Sequence, residues 1–143
     1  MSDSVEKADR LSRRRVRVLN VVMIFFALQS ARSRVDLPFR NVDHFAHFAW
    51  LAMALVLMLV LSTGGMWLRD PAVRALANDD VTRANRADAM EWGFTAAISV
   101  AIAGAVIASF TAMPALFALR MVILVGLFVA VMRFVRLERA ALG

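Results

Sequence analysis

The chain has no cysteine, no tyrosine, only three prolines and two histidines, and all of its seventeen basic residues except Lys7 are arginine. Without cysteine there is no disulfide, no thiolate metal site and no cysteine nucleophile. Without tyrosine, an aromatic belt at a membrane surface has to be built from Trp50, Trp67 and Trp92. The two histidines, His44 and His47, lie in one segment, so a haem held between facing helices by two histidines of one chain is excluded. The arginine bias, together with abundant alanine, is the usage of a GC-rich bacterial genome, and the same usage yields alanine stripes by chance. There is no glycine-rich phosphate loop, no carboxylate dyad and no nucleophile–base pair. The sequence therefore indicates no enzyme class, no catalytic residue and no cofactor.

What the chain has in excess is apolar sequence. It is 61% hydrophobic over 143 residues, with a mean hydropathy of +0.67, where soluble domains lie near ~45–50%. A soluble protein this small has too little interior to hide that much apolar surface, so lipid must cover part of it. The length allows one bundle and no second domain. The net charge of +6 is not a nucleic-acid footprint, because the bases are divided among separate loops and do not form one stripe.

Residues 1–17 form a basic arm, with Lys7, Arg10, Arg13, Arg14, Arg15 and Arg17 against Asp3, Glu6 and Asp9. It reads as a topology signal holding this end in the cytoplasm, or as an anchor for anionic lipid or an acidic partner. Residues 18–28, apolar apart from Asn20, resemble a signal-peptide core. Neither Leu28-Gln29-Ser30 nor Gln29-Ser30-Ala31 has the small-x-small cleavage pattern. The expectation is an uncleaved first span over about 16–34, with an interfacial amphipathic helix as the alternative. Pro38 breaks the following loop. The second span, 45–68, carries Trp50 and Trp67 about 25 Å apart along the helix, close to the separation of two interfacial belts.

Residues 69–91 are the only sizeable polar loop. Asp70-Pro71 starts a short helix through Ala77. Asn78, Asp79 and Asp80 cap a second helix, with Asp79 and Arg83 paired at i,i+4. Nothing then interrupts a helix running into the third span, 92–112, so a rod of about 30 residues projects on the loop side. After a Met113-Pro114 turn, the fourth span covers 115–136. The fold class is all-α: a four-helix transmembrane domain over 18–143. Thirteen bases then fall on one side and three (Arg32, Arg34, Arg40) on the other, with Arg120 inside a span. The positive-inside rule places both termini in the cytoplasm, with the third helix extended into it; with the bacterial residue usage, the membrane expected is a bacterial inner membrane.

The stretch on which the others are expected to pack is 92–112. Gly93, Ala97, Ala101, Ala105 and Ser109 recur every fourth residue, and small residues let helix backbones approach in lipid. Gly126 and Ala130 form a matching pair on span four. A four-residue step drifts about 40° at 3.6 residues per turn, so one neighbour cannot follow the whole row. Span four is expected to meet it near Pro114, and another span or another copy nearer Gly93.

Four groups could carry chemistry. Asp43, His44 and His47 share one helix face and could hold a metal of borderline softness, although HxxH alone is a weak signal. Arg120 lies about 9 Å into span four, where an arginine usually has a partner; Asp36 and Asp43 are the candidates. Glu91, beside Trp92, could couple to protons or pair with Arg69 or Arg133. Asn20 and Gln29 are the polar amides of span one. The methionines, among them Met53, Met58, Met121 and Met132, are scattered and read as packing.

In size and number of spans the chain resembles, in outline, the small multidrug-resistance transporters, but the acidic residue those carry inside the first span has no counterpart here. The sequence points first to a small polytopic membrane protein acting through helix–helix association, as an accessory subunit or a homo-oligomer. The alternatives are a small transporter or channel with a polar path through Asn20, Gln29, Arg120 and Glu91, and a metal or redox site at Asp43, His44 and His47.

Overall fold

A computed structural model describes residues 2–32, 41–63 and 80–141, with side chains placed for 13–14, 17–30, 45–63 and 80–141. These residues form four helices and no strand: α1 (Ser2–Arg32), α2 (Asn41–Thr63), α3 (Asp80–Ala108) and α4 (Ala115–Ala141). The short helix expected over 70–77 and Trp67 lie outside the described residues.

Three helices are long and apolar enough to cross a membrane: α2 over Phe45–Thr63, α3 and α4. The apolar part of α1 is Arg17–Ser30, 14 residues or about 21 Å. The arm expected to precede the first span continues the same helix, because nothing between Ser2 and Arg32 breaks it.

The ends of α3 and α4 follow from local chemistry. Asp80 stands in the first turn of α3, where a carboxylate complements the helix dipole. At the other end the helix stops at Ala108, short of the Ala112 expected. The Ser109 hydroxyl donates to the Ala105 carbonyl (3.0 Å) and the Thr111 hydroxyl to that of Ile107 (3.0 Å). The Phe110 amide bonds Ile107, three residues back. These contacts satisfy carbonyls that lipid could not, and Pro114 biases Met113 away from helix. The Pro114 carbonyl then accepts the amides of Phe117 and Ala118 and opens α4.

The helix that touches all the others is α4. It packs most extensively on α3, then on α1, and more sparingly on α2, whereas α3 has little contact outside α4. This corrects the expectation that 92–112 is the packing centre. The buried core confirms where the weight lies. Leu19, Met23 and Phe26 of α1 and Trp50, Ala54, Leu57 and Leu61 of α2 each form one stripe, and both close on Ala130, Val131, Phe134 and Val135 of α4. α3 adds only Ala89.

The backbones of α3 and α4 approach closely at their glycines. A Cβ on Gly93 would stand 2.6 Å from the Ala130 Cβ and 2.8 Å from the Gly126 carbonyl oxygen. A Cβ on Gly126 would stand 2.9 Å from that of Ala97. The crossing is thus at Gly93, not near Pro114 as the row was expected to give. Towards Pro114 the space opens, and a Cβ on Gly104 would meet nothing within 4 Å.

The two glycines should therefore respond oppositely to the same substitution. Gly93→Ala is expected to lower stability by about 1–3 kcal/mol through overpacking. Gly104→Ala should leave it within ~0.5 kcal/mol. Unfolding of detergent-solubilised protein, followed by circular dichroism, measures both; equal effects would contradict the crossing.

Candidate functional site

Two polar clusters lie at opposite ends of α4. Arg120 and Glu138 are 18 positions apart, about 27 Å along the helix, close to the ~30 Å of a bilayer's hydrocarbon core. Each cluster draws on three helices.

The first is built on Trp50, which is only 1% exposed. Its ring stacks on Phe26 with centroids 5.0 Å apart, and its indole N–H donates to the Ser30 hydroxyl oxygen at 2.7 Å. That hydroxyl in turn donates to the Phe26 carbonyl at 2.8 Å. From α4, the Arg120 guanidinium lies 5.7 Å from the Trp50 ring centroid, and its Nη2 is 2.7 Å from His47 Nδ1. Arginine has no acceptor, so Nδ1 accepts and the ring proton sits on Nε2. Arg120 Nε is buried without a hydrogen-bond partner. Buried against Phe26 and bonded to Ser30, Trp50 acts as an inward anchor and does not stand in a lipid-facing belt.

The second cluster brings Asn85 and Arg86 of α3 to Glu138 of α4, with Thr82 buried one turn before Arg86. Arg86 is 8% exposed, Thr82 9% and Glu138 4%. Asn85 Nδ2 donates to Glu138 Oε1 at 3.3 Å, and Arg86 Nη1 reaches the Ser62 carbonyl of α2 at 3.5 Å. Arg86 Nε is buried without a hydrogen-bond partner. Burial of a guanidinium is tolerable here because a carboxylate shares the site.

A third contact lies nearby on the outside of the α3–α4 pair. Arg133 Nε donates to Asp88 Oδ2 at 2.6 Å and Nη2 to Oδ1 at 3.4 Å, while the guanidinium lies 5.7 Å from the Trp92 ring centroid. Arg133, one of the two partners expected for Glu91 beside Arg69, is bonded to Asp88. Asp88 and Trp92 share a face at i,i+4, and Glu91 is exposed beside them.

The other candidates are distributed as follows. Gly93, Ala97, Gly126 and Ala130 meet at the crossing, while Ala101, Ala105 and Ser109 are exposed. His47 is held by Arg120; the side chains of Asp43 and His44, and Asp36 and Arg69, lie outside the described residues. Among the described residues no three histidine, aspartate or glutamate side chains converge on one point. Asn20 and Gln29 are half-buried on α1, and the buried residues between the two clusters are apolar.

The second cluster is one that sequence reasoning missed. Arg86 was counted as a loop base, and Glu138 was not singled out. A signal was present. Stepping back from Gly93 by four, three and four residues gives Ala89, Arg86 and Thr82, the buried face of α3. Stepping forward from Gly126 by fours gives Ala130, Phe134 and Glu138, all buried.

No protein-family model matches the chain, and no curated protein or solved structure matches it either.

Glu138→Leu leaves Arg86 buried beside no carboxylate and is expected to cost about 3 kcal/mol. The double variant Arg86→Met/Glu138→Leu should recover most of the loss, since it removes both charges together. Unfolding free energies of the wild type, both single variants and the double variant close the cycle; strictly additive effects would mean that the two charges are independent.

Proposed function

We propose that this is a small four-pass integral membrane protein of a bacterial inner membrane that works through helix–helix association, as an accessory subunit or a homo-oligomer. Both termini and the start of α3 lie on the cytoplasmic side in this reading, and α1 is the fourth pass. Residues 18–28 of α1, apolar on every side apart from Asn20, support that pass. Leu19, Met23 and Phe26 face the core, while Val18, Val21, Ile24, Phe25 and Leu28 are more than half exposed, as suits a helix surrounded by lipid and protein.

The observation that carries the association reading is the coverage of α3. Only 6% of its apolar window is buried, against 22% in α2 and 17% in α4. Beyond the crossing it presents Ala101 and Ala105, flanked by exposed Ile98 and Ile102. Small residues framed by branched ones are the surface on which helices associate in lipid. A polar path through Asn20, Gln29, Arg120 and Glu91 has less support, because Glu91 is exposed and Arg120 is engaged with His47 and Trp50.

The absence of native cysteine makes the test clean. Single cysteines at Ala101 and Ala105, and at Leu55 on the exposed side of α2, are labelled with benzophenone maleimide and photolysed in native membranes, so that the partner needs no thiol. The α3 positions should give a discrete cross-linked band, identified by mass spectrometry as a second copy or another membrane protein, and Leu55→Cys should not. Cross-linking that is absent at all three, or equal at all three, removes the reading.

A further inference from the structure

The exposed charges of the described chain are gathered at one end. Ser30 is bonded to Trp50, and Arg120 lies over the same ring, so these three residues set a common level. Arg17 is 13 positions before Ser30 on α1, about 20 Å away, and Arg13 and Arg14 lie a turn further. On α4, Arg136 and Arg139 are about 24 and 28 Å from Arg120. Contact of Gly93 with Ala130 in an antiparallel pair puts Arg83, ten positions earlier, level with Ala140. All six of these arginines are exposed.

The acids at this level do not offset them. Glu138 is buried with Asn85, and Asp88 is taken by Arg133. That leaves Asp80 and Glu91 as the exposed carboxylates among the described side chains. At the opposite end no described charged side chain is exposed. Since α1 and α3 each pack on α4 and not appreciably on one another, the arginines flank the bundle on two sides at the same end.

We propose that this arginine rim, formed by Arg13, Arg14, Arg17, Arg83, Arg136 and Arg139, is a binding surface for the phosphate groups of anionic phospholipids in one leaflet. The depth selects the occupant. The rim lies about 20–30 Å from the Arg120 level, within reach of the opposite edge of a hydrocarbon core of ~30 Å, beside which lipid phosphates stand, and guanidinium groups fork onto phosphate oxygens. The surface fits a ring of separate headgroups better than one soluble polyanion, because the bundle itself stands between its two sides.

The test uses the full-length protein purified in mild detergent and offered equal amounts of phosphatidylglycerol and phosphatidylcholine, with retained lipid measured by native mass spectrometry. Phosphatidylglycerol should be enriched, and the enrichment should fall as salt rises. Changing Arg13, Arg14 and Arg17 to Gln, or Arg83, Arg136 and Arg139 to Gln, should each lower the retention ratio by about tenfold, the scale of a small basic cluster at an anionic surface under screening. The corresponding Lys variants should retain the preference and, with unchanged circular dichroism, separate charge from folding damage. Equal retention of the two lipids, or a preference unaffected by both triple Gln sets, overturns the proposal. So does displacement of the lipid by millimolar glycerol 3-phosphate, which would mark a site for free phosphate, or stoichiometric binding of a single-stranded oligonucleotide in its place, which would mark a nucleic-acid surface.

Discussion

The contact between the backbones of α3 and α4 at Gly93 and Gly126 sets the register on which the polar contacts between these two helices depend. Lipid is as apolar as a leucine side chain, so helices immersed in it gain little from merely hiding apolar surface and associate through close packing. Here neither glycine has room for a Cβ. Once Gly93 is seated on Ala130 and Gly126 on Ala97, every other pairing between the two helices is determined. Arg86 falls level with Glu138, and Asp88 falls beside Arg133. A shift of one residue would turn these side chains by about 100°, moving Arg86 out of its buried site and separating Asp88 from Arg133. The charged contacts confirm a register that the glycines impose.

The same geometry explains how five buried or half-buried charges among the described residues, Arg86, Asp88, Arg120, Arg133 and Glu138, coexist with an apolar interior. They are kept to the two ends of α4, and the band between is filled by residues such as Leu57, Val131 and Phe134. Arg120 would be costly at the centre of a bilayer. At its actual level it meets the face of Trp50 and a ring nitrogen of His47. Trp50 is the larger part of that arrangement, since it also fixes α1 through Phe26 and Ser30.

How much of this was legible in the sequence depended on whether the signal was local. Helical character, the unbroken run from Asp80 into the membrane and the small pair Gly126/Ala130 are written in spacing and composition, and the structure shows each of them. Which helix is central is a non-local property. The row from Gly93 to Ser109 is the longest small-residue row in the chain, yet α4, with Phe134 and Val131 beside its small residues, can face three neighbours at once. The row also ran the other way from the one followed. Extended towards the N-terminus it meets Arg86 and Thr82, and that part is buried, whereas the Ala101–Ser109 part is exposed because the helices open beyond Ala97. Partner choice was the least legible feature. Asp88, one turn before Trp92, and Glu91, next to it, are both acids at the same end of the span, and only the rotational setting of the crossing decides that Arg133 reaches Asp88.

The setting of α1 depends on its neighbours. In the four-pass reading proposed above, the apolar segment of α1, Arg17–Ser30, covers about 21 Å, less than the ~30 Å of hydrocarbon, so α1 by itself has a weak claim to a fixed depth. Arg17 can extend the reach at one end by laying its stem along apolar surface with its charge in the headgroups. At the other end, Ser30 is bonded to the indole of Trp50, which fixes that end at the Arg120 level. Between them, Leu19, Met23 and Phe26 form a single stripe in the core shared with α2 and α4. The depth of α1 is therefore taken from α2 and α4, and a change that frees Trp50 acts first on the helix that Trp50 does not belong to.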